Sequence, residues 1–144
     1  EALVVKVVNA DIIVLEDGQR IKLIGVEAIG PLPKHYVKYD EKGKPIEPTP
    51  EENLIIPIEE QAFAYARSLL ENKKVKLEYD VSARSPDGYR WAYVTLPDGR
   101  MANVEMLRMG FVRLRIVPPN LKHVDQLREA YQESRREKRG LASE

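Results

Sequence analysis

The stretch from Leu3 to Gly30, LVVKVVNADIIVLEDGQRIKLIGVEAIG, decides the fold. Val4, Val5, Val7 and Val8 predict a first strand, because branching at Cβ favours an extended backbone. Asn9-Ala10-Asp11 breaks that run, since Asn and Asp side chains bond locally and favour turns. Ile12 to Leu15 predicts a second strand. Asp17-Gly18 is a hairpin signal, as both residues tolerate the positive φ of a primed turn. Ile21 to Val26 predicts a third strand, which ends at Glu27. A meander with acids at two strand ends can point two carboxylates, Asp11 and Glu27, toward one spot.

The rest of the composition fits one globular unit. A chain of 144 residues favours a single domain over 1–144, and 43% hydrophobic content is enough for a core. Lys plus Arg equals Asp plus Glu, 23 each, so no overall charge draws the chain to nucleic acid, although a local basic patch stays open. The chain has no cysteine, which excludes disulfides and thiolate metal sites. His35 and His123 are far apart in sequence and read as surface histidines rather than ligands. No apolar run is long enough to span a membrane. The chain opens on Glu1-Ala2 with no signal-peptide pattern. Both a secreted and a cytoplasmic location stay open, as does the oligomeric state.

Beyond Gly30, residues 31–57 are proline-rich and of mixed charge, and read as a long loop with little regular structure. Ile58 to Asn72 predicts a helix, with Pro57 suited to its first turn and Glu59 and Glu60 to its positive end. Its apolar stripe is Ile58, Ala62, Tyr65, Ala66, Leu69 and Leu70. Lys73 to Tyr79 alternates with period two and predicts a fourth strand, and Tyr89 to Leu96 a fifth. Asn103 to Met109 predicts a short helix capped by Asn103 and closed by Gly110. Phe111 to Val117 reads as extended, with Arg113 and Arg115 on one face. Asn120 is the expected cap of a last helix from about Leu121 to Arg139, with Leu121, Val124, Leu127 and Tyr131 on its buried side. Arg135, Arg136, Lys138 and Arg139 suit the negative end of that helix, and read as a solvated basic face before a nucleic-acid patch. Five strands with a helix before the fourth predict an α+β domain, a five-stranded OB-fold barrel with about three helices.

The order of these motifs resembles the staphylococcal nuclease family. That family's pattern, Asp-Gly-Asp-Thr followed by Arg-Leu-Ile-Gly-Ile-Asp-Ala/Thr-Pro-Glu, stands here as Asn9-Ala10-Asp11-Ile12 and Lys22-Leu23-Ile24-Gly25-Val26-Glu27-Ala28-Ile29-Gly30. The resemblance implies the same barrel and a calcium-dependent hydrolysis of DNA and RNA phosphodiesters. It implies calcium ligation at Asp11, at Glu27 and at the backbone carbonyl of Ala28. Asn9 and Ile12 replace other polar residues of the motif, so the implied calcium binding is weak. Lys22 stands at a catalytic arginine position, keeping the charge without the bidentate fork. Gly30 stands at the general-base glutamate position and has no side chain for the task. A second arginine lies in the family's Tyr-Gly-Arg-x-Leu-Ala-Tyr. Here the run is Asp87-Gly88-Tyr89-Arg90-Trp91-Ala92-Tyr93, which puts Tyr89 at that position and Arg90 one residue late. A one-residue offset turns Arg90 to the opposite face of a strand unless a bulge restores it.

The expected catalytic pair is therefore Lys22 with Arg90, and the expected nucleic-acid contacts are Tyr89, Arg113 and Arg115. The family's stacking tyrosines fall at Asp87, Arg115 and Val117. Tyr89 and Trp91 offer other aromatic faces, with barrel core the simpler reading of Trp91. Three functions follow. The first is a module that binds single-stranded DNA or RNA with hydrolysis lost or very weak. The second is an active calcium-dependent nuclease in which Glu27, Glu51 or Glu52 substitutes for the missing base. The third is a protein-interaction domain.

Overall fold

The computed structural model describes residues 1–30, 38–46 and 57–143. β1 (Ala2–Asn9), β2 (Ile12–Leu15) and β3 (Arg20–Leu23) form the expected antiparallel meander. Gly18, at φ 88°, makes the β2–β3 hairpin turn. The third strand is shorter than expected, because Gly25 takes φ 84° and breaks it. A Cβ on Gly25 would also overlap Leu127 Cδ1, so the turn needs glycine on both counts. After the break, β4 (Val26–Ala28) leaves the barrel.

The segment expected as an unstructured loop contains a small antiparallel ribbon, β5 (Lys38–Tyr39) and β6 (Pro45–Ile46), turned at Gly43. The remainder of that expectation, with His35, Glu51 and Glu52, lies outside the described residues. α1 (Ile58–Leu70) follows, with Pro57 at its N-cap and Glu59 and Glu60 in its first turn. It stops two residues short of Asn72, which takes a left-handed φ of 65° and turns the chain. Phe63 is buried with Ala62, Ala66, Leu69 and Leu70, whereas Ile58 and Tyr65 are only half-buried.

β7 (Lys74–Glu78) pairs with β1, and β8 (Arg90–Thr95) pairs antiparallel with β7 and parallel with β3. This closes a five-stranded barrel in the order β1-β2-β3-β8-β7. α2 (Ala102–Arg108), β9 (Val112–Leu114) and α3 (Val124–Arg136) complete the domain, and β9 pairs with β4. The architecture is an α+β OB-type barrel with three α-helices among the described residues. The barrel interior is apolar, with Val4, Val7, Ile13, Ile21, Leu23, Val75 and Val94 all fully or almost fully buried. Among the described residues, no helix is long and apolar enough to cross a membrane.

Two asparagines expected as helix caps do something else. α2 starts after Met101, and Asn103 lies inside it at 0% exposure. Its Nδ2 donates to the carbonyls of Ile24 (2.8 Å) and Ala92 (3.3 Å), and its Oδ1 accepts from Val94 N–H (3.0 Å). Asn103 thus ties the end of β3 to β8, joining the Ile24 N–H to Ala92 C=O bond (3.0 Å) that already links the two. α3 starts after His123, and Asn120 is buried with its amide bonded to both Ser82 N–H (2.8 Å) and Ser82 C=O (2.9 Å). Asn120 therefore fixes the 82–89 loop against the chain that follows β9. Leu121, expected on the buried side, is exposed, while Leu127 carries the packing. His123 is not an isolated surface residue: its Nε2 lies 2.9 Å from Glu78 Oε1, and its ring meets Tyr93 edge-on at 4.5 Å.

Candidate nucleic-acid and cation site

The parallel register of β3 and β8 sets the geometry. Ile21 stands opposite Arg90, Lys22 opposite Trp91 and Leu23 opposite Ala92. Residues opposite one another share a face, so Lys22 and Trp91 share one and Ile21 and Arg90 share the other. A cleft of about 230 Å³ lies on the Lys22 side, lined by Lys22, Glu27, Asp87, Trp91, Arg115 and Asn120 among others. Trp91 is only partly buried, packing against the core while lining this cleft. The simpler reading of it as barrel core is corrected in that respect. The signal was present in the period-two spacing of β8, but the strand it would pair with was not readable from sequence.

Arg90 does not join Lys22. Its guanidinium lies 4.9 Å over the Tyr79 ring, and its Nη1 donates to Gln19 Oε1 at 3.2 Å. No irregularity in the β3–β8 register carries it round. Tyr89 does come near Lys22, whose ammonium sits 5.9 Å from the centre of its ring. Lys22 Nζ also reaches Asp87 Oδ2 at 3.4 Å. The Ser85 hydroxyl, first, and Lys22 hold the Asp87 carboxyl below its ordinary pKa.

Asp11 is 4% exposed at the β1–β2 turn. Its Oδ2 accepts from Ala28 N–H at 3.2 Å, while its Oδ1 is buried with no hydrogen-bond partner. Burial raises the Asp11 pKa, the Ala28 N–H and Lys22 offset part of the rise, and Glu27 adds to it. Lys22 and Glu27 thus both act on the Asp11 carboxyl. Glu27, however, gives its carboxylate to Arg115, with Nη1 and Oε2 2.6 Å apart. Among the described residues, no three of the His, Cys, Asp and Glu side chains gather as a metal cluster. The orphaned Asp11 Oδ1 is the kind of oxygen that a hard cation takes, and Glu27 and the Ala28 carbonyl are the further protein donors that the resemblance implies. That donor set is thin for an ion that takes 6–8 oxygens.

Gly30 takes φ 68°. A Cβ built there would stand 3.9 Å from the carboxyl carbon of Glu59, in the first turn of α1. The space a side chain at position 30 would enter is therefore already bordered by a carboxylate from elsewhere in the chain. Sequence reading assigned Glu59 only to the helix end, because nothing in the spacing of 30 and 59 reveals that they meet. Arg113, the remaining expected contact, stands opposite Glu27 in the β4–β9 ladder but lines a separate depression with Tyr131 and Arg135.

Residues 20–144 match the model of a family described as staphylococcal nuclease homologue. The thermonuclease of Staphylococcus intermedius is 31% identical over 137 residues, which cover 93% of this chain and 71% of that protein. The thermonuclease of Staphylococcus hyicus is 27% identical over 143 residues, covering 97% and 74%. With the barrel, the helices and the Lys22 to Gly30 segment in the order that the resemblance implied, the chain belongs to the staphylococcal nuclease homologue family.

Proposed function

We propose that the domain binds single-stranded nucleic acid in the Lys22–Trp91–Arg115 cleft and hydrolyses it slowly or not at all. The observation that carries this reading is the joint lining of one cleft by two cations and an aromatic ring. Cations hold phosphates, and a ring offers a face to any base. Weak hydrolysis follows from three departures from the family's pattern. Lys22 has no bidentate fork. Arg90 is engaged with Tyr79 and Gln19 on the other face. Glu27, the second carboxylate for a cation, is held by Arg115. In this reading Asp11 and Glu27 would hold calcium weakly, and the ion would supply charge to polarise the phosphate.

One observation favours the substitute-residue nuclease instead: the Glu59 carboxylate beside Gly30. It borders the space left by the missing base and is a better-supported candidate for that task than the acids of the 31–57 loop.

The test pairs a salt titration of binding to oligothymidylate and oligouridylate with a calcium-dependent cleavage assay. Binding that weakens with salt, without cleavage, is expected. Cleavage abolished by both Asp11→Ala and Glu59→Gln would establish the substitute nuclease. Neither binding nor cleavage would leave the protein-interaction domain.

A further inference from the structure

The chain through and just beyond β9 contributes an arginine to each of two depressions. Arg115, just beyond the strand, lines the cleft already described. Arg113, within the strand, lines a second depression of about 450 Å³ together with Tyr131, Ser134, Arg135 and Leu141. Among the described residues, the charged ones lining this second depression are the two arginines. On the surrounding surface Arg108, Arg136 and Arg139 are each paired with a glutamate. Arg113 and Arg135 are both exposed, and neither has an ion pair among the described residues. Glu27 stands opposite Arg113 in the ladder, but its carboxylate is taken by Arg115.

Arg135 is positioned without being neutralised. Its Nη1 donates to Tyr131 Oη at 3.3 Å, and its guanidinium lies 5.7 Å over the Tyr131 ring. The frame is backbone packed on backbone. Leu141 N–H donates to Gly110 C=O at 2.9 Å, and a Cβ on Gly110 would overlap the Arg139 carbonyl oxygen. Two unneutralised guanidiniums beside a tyrosine and an apolar wall match the chemistry of one nucleotide. The arginines take the phosphate, and the Arg135 guanidinium, lying over the Tyr131 ring, offers its own plane to the base. Residues 113 and 115 lie on one face of an extended segment, about 7 Å apart along it.

We propose that this depression is a second nucleotide subsite, entered by a single strand that leaves the first cleft past Arg115 and crosses β9. The proposal rests on the reading of the first cleft as a nucleic-acid site. It also revises the view of the α3 terminus as a solvated basic face, for Arg135 alone.

The test compares a thymidine dinucleotide with a thymidine octamer by fluorescence anisotropy across a salt series. In the Arg113→Gln/Arg135→Gln protein, octamer affinity should fall about tenfold, while dinucleotide affinity stays unchanged. The salt slope for the octamer should shrink by about 1.4, the share of two lost phosphate contacts on a single strand. Lys22→Gln/Arg115→Gln should weaken both ligands. If the unmodified protein binds the octamer and the Arg113/Arg135 variant matches it in affinity and slope, the second subsite is overturned. Equal weakening of dinucleotide and octamer by that variant also overturns it, since the effect is then not local. If the unmodified protein binds neither ligand, the first-cleft reading falls and takes the path with it. Thermal melts of each variant establish that it is folded.

Discussion

Arg115 Nη1 lies 2.6 Å from Glu27 Oε2, across the wall formed by β4 and the segment after β9. The pair joins a residue expected to hold a cation to one expected to hold nucleic acid. Each therefore limits the other. Both side chains are well exposed, so the pair itself adds little to stability. Its consequence is for binding. Arg115→Gln should free Glu27, tighten calcium binding and weaken oligonucleotide binding, with little change in melting temperature. Calorimetric titration of calcium, run beside an anisotropy titration of the octamer, reads both effects. Parallel loss of both ligands would show that the two residues do not compete.

Asp11 gives a pH-dependent prediction. Its folded pKa is raised above the ordinary aspartate value of 3.8, chiefly by burial. The folded protein therefore holds this proton more tightly than the unfolded chain does. Its stabilising contribution is present in acid, below 3.8, and is lost as pH rises through the folded value. At neutral pH the ionised, half-satisfied carboxylate is a cost. Asp11→Asn should raise the urea midpoint at neutral pH, and the advantage should vanish in acid. Calcium should stabilise the unmodified protein at neutral pH and leave the variant unchanged.

Asn103 holds the cleft together from beneath. Asn103→Ala leaves the Ile24 carbonyl and the Val94 N–H without their side-chain partner in a buried setting. Each such group costs about 1–3 kcal/mol, so the expected loss is about 2–6 kcal/mol in urea unfolding. Octamer affinity should fall as well, because β3 and β8 carry Lys22 and Trp91. A loss within about 0.5 kcal/mol would mean that these backbone groups find other partners.

Much of the fold was legible because it rests on local chemistry. The valine-rich strand, the Asp17-Gly18 hairpin and the α1 stripe each follow from a few adjacent residues. The errors fall where a side chain bonds across the chain. Asn103 and Asn120 looked like caps because caps favour asparagine, but each serves a backbone strand or loop remote in sequence. The site divides in the same way. Asp11 and Glu27 are linked by a short meander, so a sequence reading can name the two acids together. The face of Trp91, the Glu27–Arg115 pair and the approach of Glu59 to Gly30 depend on the β3–β8 register and on the placement of α1. Neither is encoded at short range.

Catalysis provides the last prediction. Loss of a general base typically costs about 10²–10⁴-fold, and loss of a preorganised charge stabiliser about 10²–10³-fold. The two need not multiply, because catalytic groups act as a unit. Calcium-dependent hydrolysis of single-stranded DNA should therefore be absent or very slow. Restoring the family groups is less simple than the sequence alone implies. Gly30 is left-handed at φ 68°, a conformation that costs an ordinary residue roughly 1–2 kcal/mol. A glutamate there would also enter the space beside Glu59. Two carboxylates at one spot raise the pKa of one of them and weaken it as an ionised base. The combination Lys22→Arg, Glu27→Asp and Gly30→Glu should therefore gain activity, but less than the same combination with Glu59→Ala. Single changes should do little. Single-turnover cleavage of a labelled oligonucleotide, with thermal melts alongside, separates a catalytic gain from altered stability. If Glu59→Ala lowers the activity of the triple variant, Glu59 is working with the reaction rather than obstructing it. The substitute-residue nuclease then becomes the better reading.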